Sequence, residues 1–594
     1  MKKFLFIIML IISMAAFSFL SCHQKKQTAE QQIAGLLIRQ VDSFSNDCNV
    51  MLAEAANKNC DENKLQQLFL QTRIAYKKFE WAAEYFEPAT SRFVNGPPVQ
   101  EIEFTGQAFQ PAGLQIIESF LFPKFDTTKQ TDLINQLNLL QAKCNVYKMH
   151  FKNVDILDWQ VFDAVKLEVF RIETLGITGF DNQLTLKSID ESKASLQSLQ
   201  NVLSYYDKNK TLPARFIESI NYLNRHTDFN SFNRAQFITA YCNPLTTGIS
   251  DLENQLNLHI IRYNRLLNQY AKTLFDTNAF NVNAFAPDQS AFVTSEKIVI
   301  GKKLFFDPIL SGNGIRSCAS CHQPDKAFTD GLVKNKMINS NKTLARNTPT
   351  LLNAALQAAQ FYDMRANTLE DQSHDVVQSA VEMHGSMQLS VQKLWNDSMY
   401  RKLFSIAFPK KNRTNIDTLE IMNAIGSYVR SLVFLNSRFD KYMRGDSSAL
   451  TANEVNGFNL FMGKAKCATC HYMPLFNGTF PPRYMKTEVE VIGVPSSLEE
   501  NKIDTDLGRY NIIQVASLKH SFKIPTLRNA AKTAPYMHNG VFTTLQQVMD
   551  FYNKGGGVGL GFKIDNQTLP FDKLNLSQTE MQDVIAFIKS LNSE

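Results

Sequence analysis

Two five-residue runs carry the most legible chemistry in this chain: Cys318-Ala-Ser-Cys321-His322 and Cys467-Ala-Thr-Cys470-His471. In a Cys-x-x-Cys-His run the two thiols can add covalently to the vinyl groups of a haem. The adjacent imidazole then reaches the iron from the same turn. Porphyrin geometry sets that spacing. A single run is also compatible with a zinc knuckle, but two runs in similar surroundings point to a chain that carries two c-type haems.

The elements around the runs must position them. Thr451-x-x-Glu454 is a capping box ahead of the second run, and Val455, Phe458 and Met462 line one helical face behind it. Ser577-x-x-Glu580 opens a last helix with the stripe Met581, Val584, Ile585, Ile588 and Leu591. A helix before the haem run packed on a C-terminal helix is what a small cytochrome c fold requires. Residues 283–445 and 446–594 therefore read as two cytochrome c-like haem lobes. Residues 27–275 read as a helical bundle, with Leu65, Leu68, Phe69, Thr72, Ala75, Tyr76 and Phe79 at helical steps and long periodic stretches between Ser219 and Leu267. Asp276 to Asp288 reads as a linker. The expected fold class is mostly α: a bundle followed by two haem lobes.

At 594 residues the chain is long enough for two or three domains. A net charge of +6 with 20% charged residues is mild and gives no reason to expect nucleic acid. Lys2 and Lys3 precede an apolar run from Phe4 to Leu20, too short for a membrane span and shaped like a secretory signal. Ser21-Cys22 resembles a bacterial lipobox, after which Cys22 would be lipidated, and polar His23 to Lys26 follows as a tether would. An ordinary signal peptide with an incidental cysteine is the alternative. The expectation is a signal over residues 1–22 and a periplasmic protein held to a membrane by lipid. Of nine cysteines, Cys48, Cys60, Cys144 and Cys242 remain outside these motifs. They allow two disulfides in three connectivities, or buried thiols.

Two stretches resemble known families. Tyr85 through Pro98, with Gly113-Leu-Gln115-Ile-Ile-Glu118-Ser-Phe-Leu-Phe122, resembles imelysin-like helical bundles. That family often carries Gly-x-His-x-x-Glu and handles metal. Gln115 stands at the histidine position here, and an amide is a poor transition-metal ligand, so core packing is the reading of this helix.

The second half resembles the bacterial di-haem cytochrome c peroxidases, including the MauG-type branch. The runs that carry this are Gly301 to Pro308, Leu310-Ser311, Phe328-Thr-Asp-Gly331, Arg346 to Asn353, Gln360 to Arg365, Val381-Glu-Met383, Pro525 to Asn529 and Thr533-Ala-Pro-Tyr-Met-His538. The resemblance implies that His322 is the proximal ligand of a peroxide-reactive haem and His471 that of an electron-transfer haem. It makes Glu382 the distal carboxylate that shuttles the peroxide proton, with Gln372 a distal amide. Heterolysis of H2O2 needs a base for one oxygen and an acid for the other, and one carboxylate can be both. Asn347 and the carbonyls of Thr533 and Pro535 match a Ca2+ site between the lobes.

Three departures matter. Many members carry a removable histidine after Thr-Asp-Gly, but residues 332–341 hold none, which implies an iron open without reductive activation; Met337 is the remaining substitute. The second haem usually takes a methionine where Tyr552 falls, as in the MauG-type pattern, with Met549 one turn away as rival. Tyr362 holds the position of the tryptophan commonly found between the haems.

The resemblance implies a peroxidase that takes electrons from a small reduced cytochrome c or cupredoxin and reduces H2O2, and a homodimer as its assembly. A MauG-type oxidase of a protein or organic substrate is the second reading. A non-enzymatic electron carrier or iron-uptake accessory lipoprotein is the third.

Overall fold

The computed structural model describes residues 27–103, 106–207, 211–500, 502–570 and 572–593. The leader and the lipidation candidate Cys22 lie outside them. Among the described residues no helix is long and apolar enough to cross a membrane.

The N-terminal half is helical. Thr28 and Gln31 form a capping box for α1 (Ala29–Ala55), whose residues Ile33, Leu37, Val41, Phe44, Cys48 and Met51 recur at three- and four-residue steps and are buried. Helix α1 packs against α2 (Glu62–Lys77) and α3 (Gln130–Asn153). On α2, Leu65, Phe69, Thr72, Ala75 and Tyr76 are buried as their spacing implies, while Phe79 is buried just beyond the helix end. Lys148 pairs with Asp42 at 2.7 Å and Gln141 Nε2 donates to the Ser45 carbonyl at 2.6 Å, a register that runs α1 and α3 antiparallel. That register brings the Cys48 and Cys144 thiols close enough to interact, which pushes the Cys48 thiol up. None of the described cysteines forms a disulfide.

The bundle interior is partly ionic. Lys77 bridges Glu80 (2.8 Å) and Asp181 (2.6 Å), Arg171 pairs with Asp181 (2.7 Å), and Arg73 with Glu191 (2.5 Å). Mutual pairing makes such burial tolerable. Gln115 belongs to this interior: its amide donates to the Asn95 carbonyl at 3.0 Å, while Glu118 accepts from Thr185 N and Oγ1 at 3.0 and 2.6 Å.

Periodicity between Ser219 and Leu267 overstates the helix. After α4 (Asn243–Gln255) the chain has no helix until residue 289, and Leu267 bridges Phe280 instead. The stretch expected to be a linker is packed: Ala279 is buried, and Phe280 meets Tyr484 edge-on at 5.4 Å.

Both C-terminal lobes use one device. In the first, α5 (Ser295–Phe306) precedes the haem run and crosses α7 (Thr418–Arg430), with α6 (Leu369–Gln378) alongside. In the second, α8 (Ala452–Met462) precedes the run and crosses α10 (Gln578–Ser590), with α9 (Leu545–Asn553) beside it. The Thr451–Glu454 and Ser577–Glu580 capping boxes are present. A glycine sits at each crossing. A Cβ on Gly301 would lie 1.9 Å from the Ala424 carbonyl oxygen, and one on Gly457 would lie 1.9 Å from that of Asp583. Close backbone approach therefore requires glycine at both positions.

The cores divide unevenly. One continuous apolar cluster runs from Ile33 in the bundle to Leu591 in the second lobe, whereas the first lobe has clusters of its own. Phe439, in the short helix Arg438–Met443, joins Phe458, Phe476 and Phe587 in the second lobe's aromatic centre, although it falls in the segment expected to close the first lobe. At the seam Phe180 of the bundle packs on Tyr472, the residue after His471.

Candidate di-haem site

Each Cys-x-x-Cys-His run is folded as a single tight turn. His322 N donates to the Cys318 carbonyl at 2.9 Å, and His471 N to that of Cys467 at 2.9 Å. The same local bond thus gathers two thiols and an imidazole in both lobes. His322 Nδ1 lies 3.0 Å from the Phe328 carbonyl oxygen, and His471 Nδ1 lies 3.1 Å from that of Pro525. A carbonyl can only accept, so in each ring Nδ1 carries the proton and Nε2 keeps a free lone pair. Burial pushes both imidazoles below their ordinary range, His471 to about 4, so both are neutral near pH 7.

Both runs line one cavity of about 970 Å3. Four unpaired thiols and two neutral imidazoles with oriented lone pairs are the donor set a pair of c-type haems requires, and the residues present fit that cofactor.

Gln372 projects from α6 and Glu382 from the turn that follows it, and both line the cavity. Burial raises the Glu382 carboxyl above the usual range, with Arg365 and Arg316 pulling the other way. The Glu382 turn is tied on three consecutive carbonyls. Val381 O accepts from Ile338 N at 2.9 Å, Glu382 O from Arg316 Nη1 at 3.0 Å, and Met383 O from Gly312 N at 2.9 Å. The histidine-free loop 332–341 is thereby pinned beside Glu382. Met337 is not among the cavity-lining residues, whereas Lys334 from the same loop is.

Tyr362 stands between the lobes. Its carbonyl accepts from Lys523 N at 2.7 Å, on the strand pair β1 (Val489–Glu490) and β2 (Phe522–Lys523) of the second lobe. Its hydroxyl is 3.5 Å from Asn347 Oδ1 in the first. Asn347, Thr533 and Pro535 line the same cavity, and Asn347 N donates to the His538 carbonyl at 2.7 Å across the lobes. Asn347 Nδ2 is spent on the Leu332 carbonyl at 2.8 Å, which turns its Oδ1 away from that loop.

Tyr552 and Met549 lie one turn apart on α9, and both line the cavity. Burial and the neighbouring Cys470 and Cys467 push the Tyr552 phenol above its ordinary range, which places it against the second run. Met549 is also part of the main apolar core.

Sequence reasoning missed several lining groups. Arg346 bridges Asp363 and Asp506, each at 2.6 Å, and so ties the two lobes by charge. His538 stacks on Phe522 at 3.7 Å and contacts Asp504 at 3.2 Å. Lys523 is half-buried with its amine pushed down to about 8, and Glu490 beside Cys470 is pushed up to about 7, both by desolvation. The Arg346-Asn-Thr-Pro run was visible, but its charge partners are distant in sequence.

Residues 295–448 match the di-haem cytochrome c peroxidase family. The cytochrome-c peroxidase IdrP2 of Denitromonas iodatirespirans is 33% identical over 319 residues, which span 50% of this chain and 82% of that protein. The methylamine utilization protein MauG of Methylorubrum extorquens is 35% identical over 304 residues, spanning 51% and 80%. The cytochrome c551 peroxidase of Pseudomonas aeruginosa is 31% identical over 304 residues, again 51% and 80%. Among solved structures, a MauG-like protein associated with microbial copper homeostasis aligns with TM-score 0.45 and 29% identity over 52% of this chain and 92% of that one. The chain belongs to the di-haem cytochrome c peroxidase family. That family implies two c-type haems, and the match leaves about half of this chain unaccounted for.

Proposed function

We propose that this protein is a di-haem peroxidase that reduces H2O2 to water with electrons from a small reduced cytochrome c or cupredoxin. The observation that carries the reading is the convergence of both haem runs, Glu382, Gln372 and Tyr362 on one cavity. In this reading Cys318, Cys321 and His322 hold the peroxide-reactive haem, and Cys467, Cys470 and His471 hold the electron-accepting one. When bound, the haems supply the two electrons that H2O2 needs, with two protons, to become two waters. Glu382 takes a proton from the near oxygen of peroxide and returns it to the departing one. Gln372 orients the peroxide by hydrogen bonding, and Tyr362 lies on the path between lobes.

Asn347 with the Thr533 and Pro535 carbonyls is proposed to hold Ca2+, an oxygen-donor set suited to that ion. Tyr552 would be a second protein ligand, after His471, to the iron of the second haem. This assignment supports the second reading, a MauG-type oxidation of a protein or organic substrate, because an anionic donor favours the higher oxidation states of iron. Export to a periplasm, lipidation at Cys22 and assembly as a homodimer complete the proposal, together with an imelysin-like origin for the bundle.

The test is H2O2-dependent oxidation of reduced cytochrome c by the purified diferric holoprotein, with and without pre-reduction. Turnover without pre-reduction is expected, because loop 332–341 carries no histidine. A lasting spectral change without turnover would favour the oxidase, and no response to peroxide would leave the electron carrier.

A further inference from the structure

Arg316 has no role in the scheme above, yet its side chain touches both the Glu382 turn and the 332–341 loop. It lies two residues before the first haem run, and its own side chain lines the cavity. Nη1 donates to the Glu382 carbonyl at 3.0 Å and Nη2 to the Lys336 carbonyl at 3.0 Å. The planar fork of a guanidinium can hold two carbonyls at once in fixed relative positions. Its backbone is set as well: Arg316 N and Ile315 N donate to Asn313 Oδ1 at 3.3 and 3.0 Å, and Asn313 Nδ2 reaches Asn339 Oδ1 at 3.3 Å. The haem run, the histidine-free loop and the Glu382 turn therefore meet at this one cation.

We propose that Arg316 is a positioning residue that fixes the Glu382 carboxylate over the peroxide-binding side of the cavity by clamping the backbone at residues 336 and 382. The proposal rests on the reading of Glu382 as the proton-transfer group. Its logic is rigidity. A loop with no ligand to anchor it to iron needs another anchor, and a carboxylate that must meet two oxygens in succession must not swing. The neighbouring bonds from Ile338 N and Gly312 N are backbone bonds that do not involve the Arg316 side chain. Loss of the guanidinium should accordingly loosen Glu382 without unfolding the lobe.

The test uses the full-length diferric holoprotein, with haem content matched, and reads the second-order rate of its reaction with H2O2 by stopped flow across pH. Arg316→Gln is expected to lower that rate about tenfold to a hundredfold, the size of a misplaced catalytic group. It should also move the acid limb of the profile to higher pH, because one of the two cations that oppose the burial of Glu382 is gone. Arg316→Lys, which keeps charge and donors, should recover most of the rate. A rate for Arg316→Gln within twofold of wild type, with an unmoved acid limb, overturns the proposal, as does a loss that merely tracks lost haem. If Glu382→Gln reacts with peroxide as fast as wild type, the reading of Glu382 itself falls. If Glu382→Gln is slow and Arg316→Gln is normal, only the clamp is wrong.

Discussion

At the scale of single residues, Glu382 carries the acid–base chemistry of the proposed mechanism. It sits in a turn, half-buried, with its carboxyl raised by desolvation. A base must be deprotonated to act, so peroxide reactivity should fall as pH drops through this raised pKa, above the ordinary glutamate value of about 4.3. Glu382→Gln should cost about 10²- to 10⁴-fold in that rate, the usual worth of a positioned acid–base group, with both haems still attached; an undiminished rate would remove Glu382 from the mechanism. The choice between Tyr552 and Met549 is also a residue question. Tyr552→Phe should change the absorption and EPR spectra of the His471 haem and raise its potential, because an anionic donor is lost. Met549→Leu should leave both spectra as they are, and the reverse pattern would make Met549 the ligand. The haem runs were legible because two Cys-x-x-Cys-His repeats are unusual in type and order, whereas Glu382 on its own reads as a surface carboxylate and was singled out only by the resemblance of the run around it. Arg316 was not: an arginine reads by default as solvated surface, and its partner lies 66 residues away in sequence.

Helix crossings are the unit that places each haem run. The capping boxes and apolar stripes of α8 and α10 could be read in advance because they are local in sequence. The crossings could not, since they join α5 to α7 and α8 to α10 across long intervening segments. What marks them is a glycine in mid-helix, where its low helix propensity is otherwise a cost. Each is pressed against a partner carbonyl that cannot move aside. Gly301→Ala and Gly457→Ala should therefore each cost about 3 kcal/mol or more, the upper end of overpacking penalties. Each should also lower haem retention only in its own lobe, counted by haem-stained peptide mapping after limited proteolysis. Equal damage to both lobes from either change would refute the idea of two independent crossings. The same locality explains the overstated helix before Leu267: apolar spacing there is real, but residues 258–264 run largely exposed without helix, and only at Leu266 and Leu267 does the chain return to the core.

On the scale of the molecule, the bundle and the second haem lobe share one apolar core, and this was least legible of all. No local pattern announces that Phe180 will pack beside His471 or that a supposed linker will fill a seam. Arg234 shows how the seam is built. It is fully buried with no carboxylate in ion-pair contact among the described residues, and desolvation, only partly opposed by Asp228, lowers its guanidinium to about 9. Its nitrogens go to the carbonyls of Ile177 (2.9 Å), Phe229 (2.8 Å) and Phe232 (3.1 Å), and reach that of Asn459 in α8 (3.5 Å). Gly463 makes the room: a Cβ there would lie 2.6 Å from the guanidinium. Arg234→Ala would strand these carbonyls and open a void, a loss of about 3 kcal/mol or more. Because one apolar core spans both parts, that loss should spread through them together. Native-state hydrogen exchange should show protection falling in α1, α3, α8 and α10 in parallel, while α7 of the first lobe, with its separate cores, keeps its protection. Loosening confined to the bundle would mean that the seam is only a contact between two independent domains. Parallel loosening would mean that the bundle is part of the structure that holds the His471 haem, and that any electron donor must approach that haem with the bundle in place.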